Sequence, residues 1–67
     1  MKQLFSIGDQ VRVTRSGHAQ DKQLGIVQKT EPAGDSQLIE VYVRGLPFEQ
    51  RRAWHSTGFI SQITKRS

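Results

Sequence analysis

Residues 8–29 read GDQVRVTRSGHAQDKQLGIVQK, and this stretch decides the fold. Val11 and Val13 are two positions apart, so in an extended chain they point to the same side of a sheet. A polar loop with one glycine follows over residues 16–23, and the apolar pattern resumes at residues 25–27. The stretch therefore predicts a strand, a loop and a second strand.

Three further strands are predicted from turn signals and apolar alternation. Residues 31–36 contain a proline and a glycine, which favour a turn. Ile39, Val41 and Val43 then share one face of an extended segment, as a sheet that is buried on one side requires. The predicted strands are residues 10–15, 24–30, 37–44, 48–55 and 59–63, with a short 3-10 turn at residues 56–58.

The fourth predicted strand contains a conflict of phase: the alternation of its residues puts a charged side chain on the apolar side. Arg52 falls on the same side as Phe48 and Trp54, although the two aromatic side chains favour the interior. A strand that begins near Gln50, or a bulge, would remove the conflict. Trp54 is the only tryptophan, and we expect it in the core because its large area suits a small interior; the alternative is a binding surface.

The second predicted strand places its apolar residues on both faces. Val27 is expected in the core, whereas Leu24 and Ile26 have the opposite phase and predict an apolar rim or interface. Gly25 indicates a bulge or a close approach of two backbones, because it offers no side chain to pack. The lead-in residues expected to cover one end of the core are Leu4, Phe5 and Ile7.

These segments define an all-β fold class. No window shows helical spacing of apolar residues, and short strands alternate with turn signals throughout. We expect a single small five-stranded barrel made from a strongly bent antiparallel sheet. One domain spans residues 1–67, and residues 64–67 are expected to form a frayed basic tail.

Composition limits the classes of function. Ten Lys and Arg against six Asp and Glu give a net charge of +4, which favours a polyanionic partner or simply keeps a small domain dissolved. The chain has no cysteine, so disulfides and thiolate metal sites are excluded. No apolar run approaches the roughly 20 residues that span a bilayer. We expect a cytoplasmic protein without a membrane partner, and the oligomeric state stays open.

Residues 11–18, VRVTRSGH, followed by residues 25–29, GIVQK, resemble the KOW motif. That motif places two strands around a basic, glycine-bearing loop in the SH3-like barrels of ribosomal proteins and transcription elongation factors. The family usually has a second glycine soon after the histidine or lysine of the loop, whereas residues 19–21 are AQD here. The resemblance implies an SH3-like barrel that contacts RNA or protein through Arg15, Gly17, His18 and Lys22.

A nucleic-acid face is the leading interpretation of the basic residues. Cations on the first hairpin attract phosphate, and Tyr42 beside Arg44 offers a ring on which an unpaired base can stack. The alternative is a solvated face whose charges protect exposed strand edges. The predicted contact residues for RNA or a nucleoprotein complex are Arg12, Arg15, Gly17, His18, Lys22, Lys29, Tyr42 and Arg44.

A protein-docking subunit of a larger assembly is the second interpretation. The segment after the third strand is apolar and is followed by an arginine pair, a composition found at binding hot spots. The alternative is that isolated apolar residues on a surface are normal. The predicted docking patch is Leu46, Pro47, Phe48, Arg51 and Arg52.

The sequence offers little for catalysis. His18 and His55 fall in separate segments, and a nucleophile, a base and an acid cannot be assembled around them. We therefore predict no catalytic residue, no metal site and no cofactor. Type II dihydrofolate reductases are SH3-like barrels of similar length and form a third alternative. Their Gln-Ile-Tyr tripeptide is absent here, and the nearest stretch is IEVY at residues 39–42.

Overall fold

Five antiparallel strands form one sheet in residues 4–63, the part of the chain that the computed structural model describes. Two single-turn 3-10 helices lie before and after the fourth strand. Residues 4–63 contain no α-helix. The basic tail expected at residues 64–67, and the first three residues of the lead-in, lie outside the described part. The elements are β1 (Gln10–Val13), β2 (Leu24–Ala33), β3 (Ser36–Tyr42), a 3-10 helix (Phe48–Gln50), β4 (Arg52–Ser56), a 3-10 helix (Thr57–Phe59) and β5 (Ile60–Gln62).

The strand order is β4-β3-β2-β1-β5, which confirms the predicted all-β, five-stranded antiparallel sheet. Strands β4 and β5 form its two edges, so the ladder of paired strands is open. The second 3-10 helix, Thr57–Phe59, joins these edges directly along the chain. It lies at the positions where a one-turn helix was predicted, shifted by one residue.

The core lies on one face of the sheet and takes side chains from all five strands. In β3, burial alternates from residue to residue, as the apolar pattern predicted, so that every second side chain faces the core. Phe5 from the lead-in is also buried, while Leu4 and Ile7 are exposed, so the lead-in contributes one core residue and not three. The apolar core consists of Phe5, Val11, Val13, Val27, Ile39, Val41, Val43 and Ile60. Strand β4 contributes a buried polar side chain, His55.

Gly25 lies in β2 with its α-carbon facing the end of β3. A Cβ atom placed there would be 2.6 Å from Cγ1 of Val41 and 2.7 Å from the carbonyl oxygen of Tyr42. Real side chains do not approach this closely, so only glycine fits. This confirms the close backbone approach expected at Gly25. A separate irregularity interrupts the β2–β3 register between Val27 and Lys29, which leaves an extra residue in β2.

The hairpin between β2 and β3 is longer than predicted. The turn expected at residues 31–36 is reduced to Gly34 and Asp35, because Pro32 and Ala33 continue β2 and pair with β3. Proline is compatible with extended backbone, and it lacks only the donor of a ladder hydrogen bond. Gly34 takes a φ of 62°, the left-handed conformation that a tight turn requires.

The prediction of β4 from residue 48 and the inward orientation of Trp54 were wrong, whereas the alternative of a later start, near Gln50, is close to the observed strand. Residues 48–50 form a 3-10 helix after Pro47, and the strand begins only at Arg52. In the observed register Trp54 lies opposite Glu40 and is 38% exposed, whereas His55 is 1% exposed. The conflict of phase disappears because Arg52 and Trp54 both point outward. The core therefore takes a histidine in place of the tryptophan.

Candidate nucleic-acid interface

The outward side of the sheet carries a row of side chains that crosses four strands. Gln10 of β1 lies opposite Ile26 of β2, Ile26 lies opposite Tyr42 of β3, and Tyr42 lies opposite Arg52 of β4. Opposed residues of antiparallel strands point to the same face, so these four side chains are neighbours. The row forms a continuous band from β1 to the edge strand β4.

Two aromatic side chains lie together at the β4 end of this band. The guanidinium carbon of Arg52 is 5.3 Å from the centre of the Tyr42 ring, a cation–π geometry. Trp54 lies two residues from Arg52 on the same face, and diagonal neighbours on adjacent strands are about 7–8 Å apart. We use the name outer face for these exposed or half-exposed residues on this side: Ile26, Lys29, Glu40, Tyr42, Arg44, Arg52 and Trp54. Glu40 lies between Lys29 and Trp54 and is the acidic member of this set.

A shallow groove of about 260 Å³ lies at the other end of the band. Leu24, Ile26 and Ile63 contribute aliphatic side chains, and Tyr42 contributes its ring. Among residues 4–63, Arg44 is the only charged residue that lines the groove. The groove is thus a mostly apolar hollow that adjoins the cations of the outer face.

The opposite side of the fold contains a buried polar cluster made by the loop between β1 and β2. Gln20 is completely buried, and its side-chain amide nitrogen lies 3.0 Å from the carbonyl oxygens of Gln50 and Arg51 and 3.3 Å from that of Val41. His55 Nε2 donates to the Gln20 side-chain oxygen at 2.9 Å. One loop residue thereby holds the loop against β3, β4 and the segment between them.

Arg15 and His18 complete this cluster. Arg15 Nη1 lies 3.5 Å from His55 Nδ1, and its guanidinium carbon is 4.7 Å from the centre of the Phe59 ring. The His18 ring meets the His55 ring edge-on at 4.7 Å, and its Nδ1 accepts the Gln20 backbone N–H. Because His55 donates from Nε2 and faces an arginine donor at Nδ1, its ring is neutral.

Burial, together with smaller electrostatic effects of His18 and Arg15 in the same direction, lowers the pKa of His55 from 6.5 to about 4. The folded state resists protonation of this ring, while the unfolded chain accepts the proton below about pH 6.5. The contribution of this ring to the free energy of unfolding is therefore fully present above pH 6.5. It is lost as the pH falls towards 4, by about 3 kcal/mol in total.

Urea unfolding at several pH values measures this loss, and the NMR titration of the His55 ring gives its pKa without any substitution. We expect the free energy of unfolding to decrease between pH 6.5 and 4.5, above the range where most carboxylates titrate. A His55 ring that titrates near 6.5, with no loss of stability in this window, would contradict the neutral buried ring.

The structure divides the predicted RNA-contact residues into two groups. Arg15 and His18 are half-buried in the polar cluster, and Gly17 has a φ of 82° that allows the loop to turn. The others lie on the surface, with Lys22 at the loop end of the first hairpin and the rest on or beside the outer face. Those surface residues are Arg12, Lys22, Lys29, Tyr42 and Arg44, of which Tyr42 is half-exposed.

The predicted docking patch is also divided. Leu46 packs against the core, and Arg51 donates from Nε to the Leu46 carbonyl oxygen at 2.8 Å. Arg52 belongs to the outer face with Tyr42. Pro47 and Phe48 remain exposed together, and Phe48 is 75% exposed.

The roles of two important residues, Trp54 and Gln20, were not predicted from the sequence. Trp54 was assigned to the core, although its two-residue spacing from Arg52 already placed both on one face. Gln20 had no signal, because a loop glutamine is ordinary in sequence and its burial depends on carbonyl groups that are about 20 to 30 residues away.

Comparison of the chain with protein-family models, curated proteins and solved structures gave no match. Within residues 4–63, no three His, Asp or Glu side chains lie together as a group that could hold a metal ion. Nor does this part of the chain contain a helix with the length and apolarity needed to cross a membrane.

Proposed function

We propose that this protein is a non-catalytic, KOW-like module with an SH3-like barrel, and that it binds RNA or a nucleoprotein complex. The observation that carries the proposal is the outer face, where Arg52 packs on the Tyr42 ring and Trp54 lies two residues from Arg52. Arg44 follows two residues after Tyr42, and Lys29 lies across Glu40 from Trp54. Sheet surfaces with exposed aromatics and cations suit single-stranded RNA, whose unpaired bases stack on rings and guanidinium planes.

The proposed mechanism combines two kinds of contact. Lysine and arginine attract phosphates, and the release of condensed counterions drives association. The Tyr42–Arg52 pair and Trp54 offer stacking surfaces that accept any base, so we expect little sequence selectivity. The first hairpin takes part through Arg12 and Lys22, which are exposed.

The structure also refines the part of the basic hairpin loop in this proposal. Arg15 is packed against Phe59 and His55, so we assign it to holding the loop in place. The charge available to phosphate then comes from the exposed cations of the hairpin and the outer face. The SH3-like barrel remains our interpretation of the five strands, supported by the 3-10 turn that connects the two edge strands.

We expect Trp54→Ala to weaken binding of a single-stranded RNA octamer about tenfold, since stacking of one base on one ring contributes about 1–3 kcal/mol. Fluorescence anisotropy of a labelled octamer at low salt measures the affinity. The dependence of affinity on salt should stay as in the natural chain, because this change removes no cation.

Phe48→Ala is the matched control, since it removes an exposed aromatic ring that lies in a 3-10 helix outside the sheet. We expect it to leave the RNA affinity unchanged. Failure of the unsubstituted protein to bind any RNA or DNA octamer at low salt would refute the proposed function, and equal losses for both variants would refute the outer face as its site.

Protein docking is the second candidate, and the exposure of Phe48 next to Pro47 is the observation that favours it. An aromatic side chain that is 75% exposed in a small domain is a suitable anchor for a partner pocket. A complex of this kind would survive high salt and would be lost in Phe48→Ala. The two candidate functions therefore respond oppositely to the same pair of variants.

A further inference from the structure

We infer that the groove between β1, β2 and the end of β3 holds one unpaired base of a bound single-stranded RNA. The inference rests on the proposed function and names the part of the strand that the groove would take. Its walls come from Leu24, Ile26, Tyr42 and Ile63, with Arg44 at its margin.

The size of the groove suits one flat ring. Sites for drug-sized ligands measure about 300–1,000 Å³, and this groove has about 260 Å³. It is also open on one side, because Leu24, Ile26 and Ile63 are exposed. A single base can enter such a hollow with its sugar and phosphate outside, whereas a base within a duplex cannot reach it.

The chemistry of the lining also points to a nucleotide. The ligand must present an apolar, flat part to the aliphatic side chains and the Tyr42 ring, and Arg44 favours a negative charge beside it. In the described part of the chain, no carboxylate lines the groove. The net charge of +4 disfavours a second copy of this chain as the occupant, because like charges would be brought together.

The groove is continuous with the outer face through Tyr42. The row Arg52, Tyr42, Ile26 and Gln10 spans three gaps between strands, or roughly 14 Å at about 4.8 Å each. An RNA strand that lies across the sheet can therefore place one base near Trp54, pass over the Tyr42–Arg52 pair, and insert another base into the groove. The base in the groove would then add apolar contact to the stacking and phosphate contacts that bind the RNA.

The test uses three probes and the natural chain with labelled methyl groups. The probes are a uridine octamer, an octamer of the same length that keeps every phosphate but has no bases, and a 12-base-pair RNA duplex. We expect the uridine octamer to shift the methyl resonances of Ile26 and Ile63. The octamer without bases and the duplex should bind through phosphate contacts without these shifts.

Ile26→Ala should weaken binding of the uridine octamer about fivefold and leave the octamer without bases unaffected, since only apolar contact is lost. Leu38→Ala is the control, because Leu38 has almost the same exposure on a strand but does not line the groove. If Trp54 fluorescence responds to the uridine octamer while the groove methyl resonances do not move, the inference is wrong and the proposed function stands.

Two other results would also overturn the inference. If no octamer binds at low salt, the proposed function fails and the inference fails with it. If an acidic peptide rich in leucine shifts the methyl resonances of Ile26 and Ile63 while RNA does not, the groove is a protein-binding site.

Discussion

Gly25→Ala is expected to unfold much of the protein at 25 °C. The added methyl group would lie 2.6 Å from Cγ1 of Val41, 2.7 Å from the Tyr42 carbonyl oxygen and 3.0 Å from Cγ2 of Val43. One of these contacts is with backbone at the end of the β2–β3 ladder, so rotation of a side chain cannot relieve all of them. Overpacking of this kind costs about 3 kcal/mol or more.

A domain of this length has a total stability of about 3–10 kcal/mol, so this loss is a large part of the whole. Urea unfolding followed by circular dichroism measures the change. Gly58→Ala is the control, because an added Cβ there meets no atom within 4 Å, and we expect a change below about 1 kcal/mol. A Gly25→Ala protein as stable as Gly58→Ala would show that β2 and β3 do not approach as described.

Gln20→Leu is expected to produce the second large loss of stability, about 3 kcal/mol or more. The substitution keeps the size of the side chain but removes its amide. The carbonyl oxygens of Val41, Gln50 and Arg51 would lose a donor, and His55 Nε2 would lose its acceptor. Each buried polar group left without a partner costs about 1–3 kcal/mol.

The same unfolding measurement tests this prediction, with Gln23→Leu as the matched control. Gln23 lies in the same loop region, but its side chain is exposed, so we expect a change within about 0.5 kcal/mol. Gln20→Leu should also change the pH dependence of stability, because it removes a partner of the buried His55 ring. Equal stability of the two glutamine variants would mean that the loop is not held by Gln20.

Much of the sheet could be predicted because its pattern is local. Alternation at Ile39, Val41 and Val43 identified β3 and its buried face, and the outward phase of Leu24 and Ile26 was correct. These assignments need only the two-residue period of a strand. The turn at residues 31–36 was placed correctly, but its predicted range was too long. Pro32 continues β2, because proline is compatible with extended backbone.

The errors fell where distant contacts decide the structure. Trp54 was assigned inward on grounds of size, yet the pairing of β4 with β3 directs it outward on the same face as Arg52. His55 could be buried only because Gln20 and Arg15 supply hydrogen-bond partners from about 35 and 40 residues away. The same contacts removed Arg15 from the exposed cations on which the predicted RNA site relied.

Amide NMR shifts during titration with a single-stranded RNA octamer at low salt test the central claim most directly. We predict that the shifts concentrate at Tyr42 and Arg52 and at the backbone and indole N–H of Trp54, and that they weaken as salt is raised. Shifts confined to residues 48–50, or no shifts at any residue, would contradict the outer face as an RNA-binding surface.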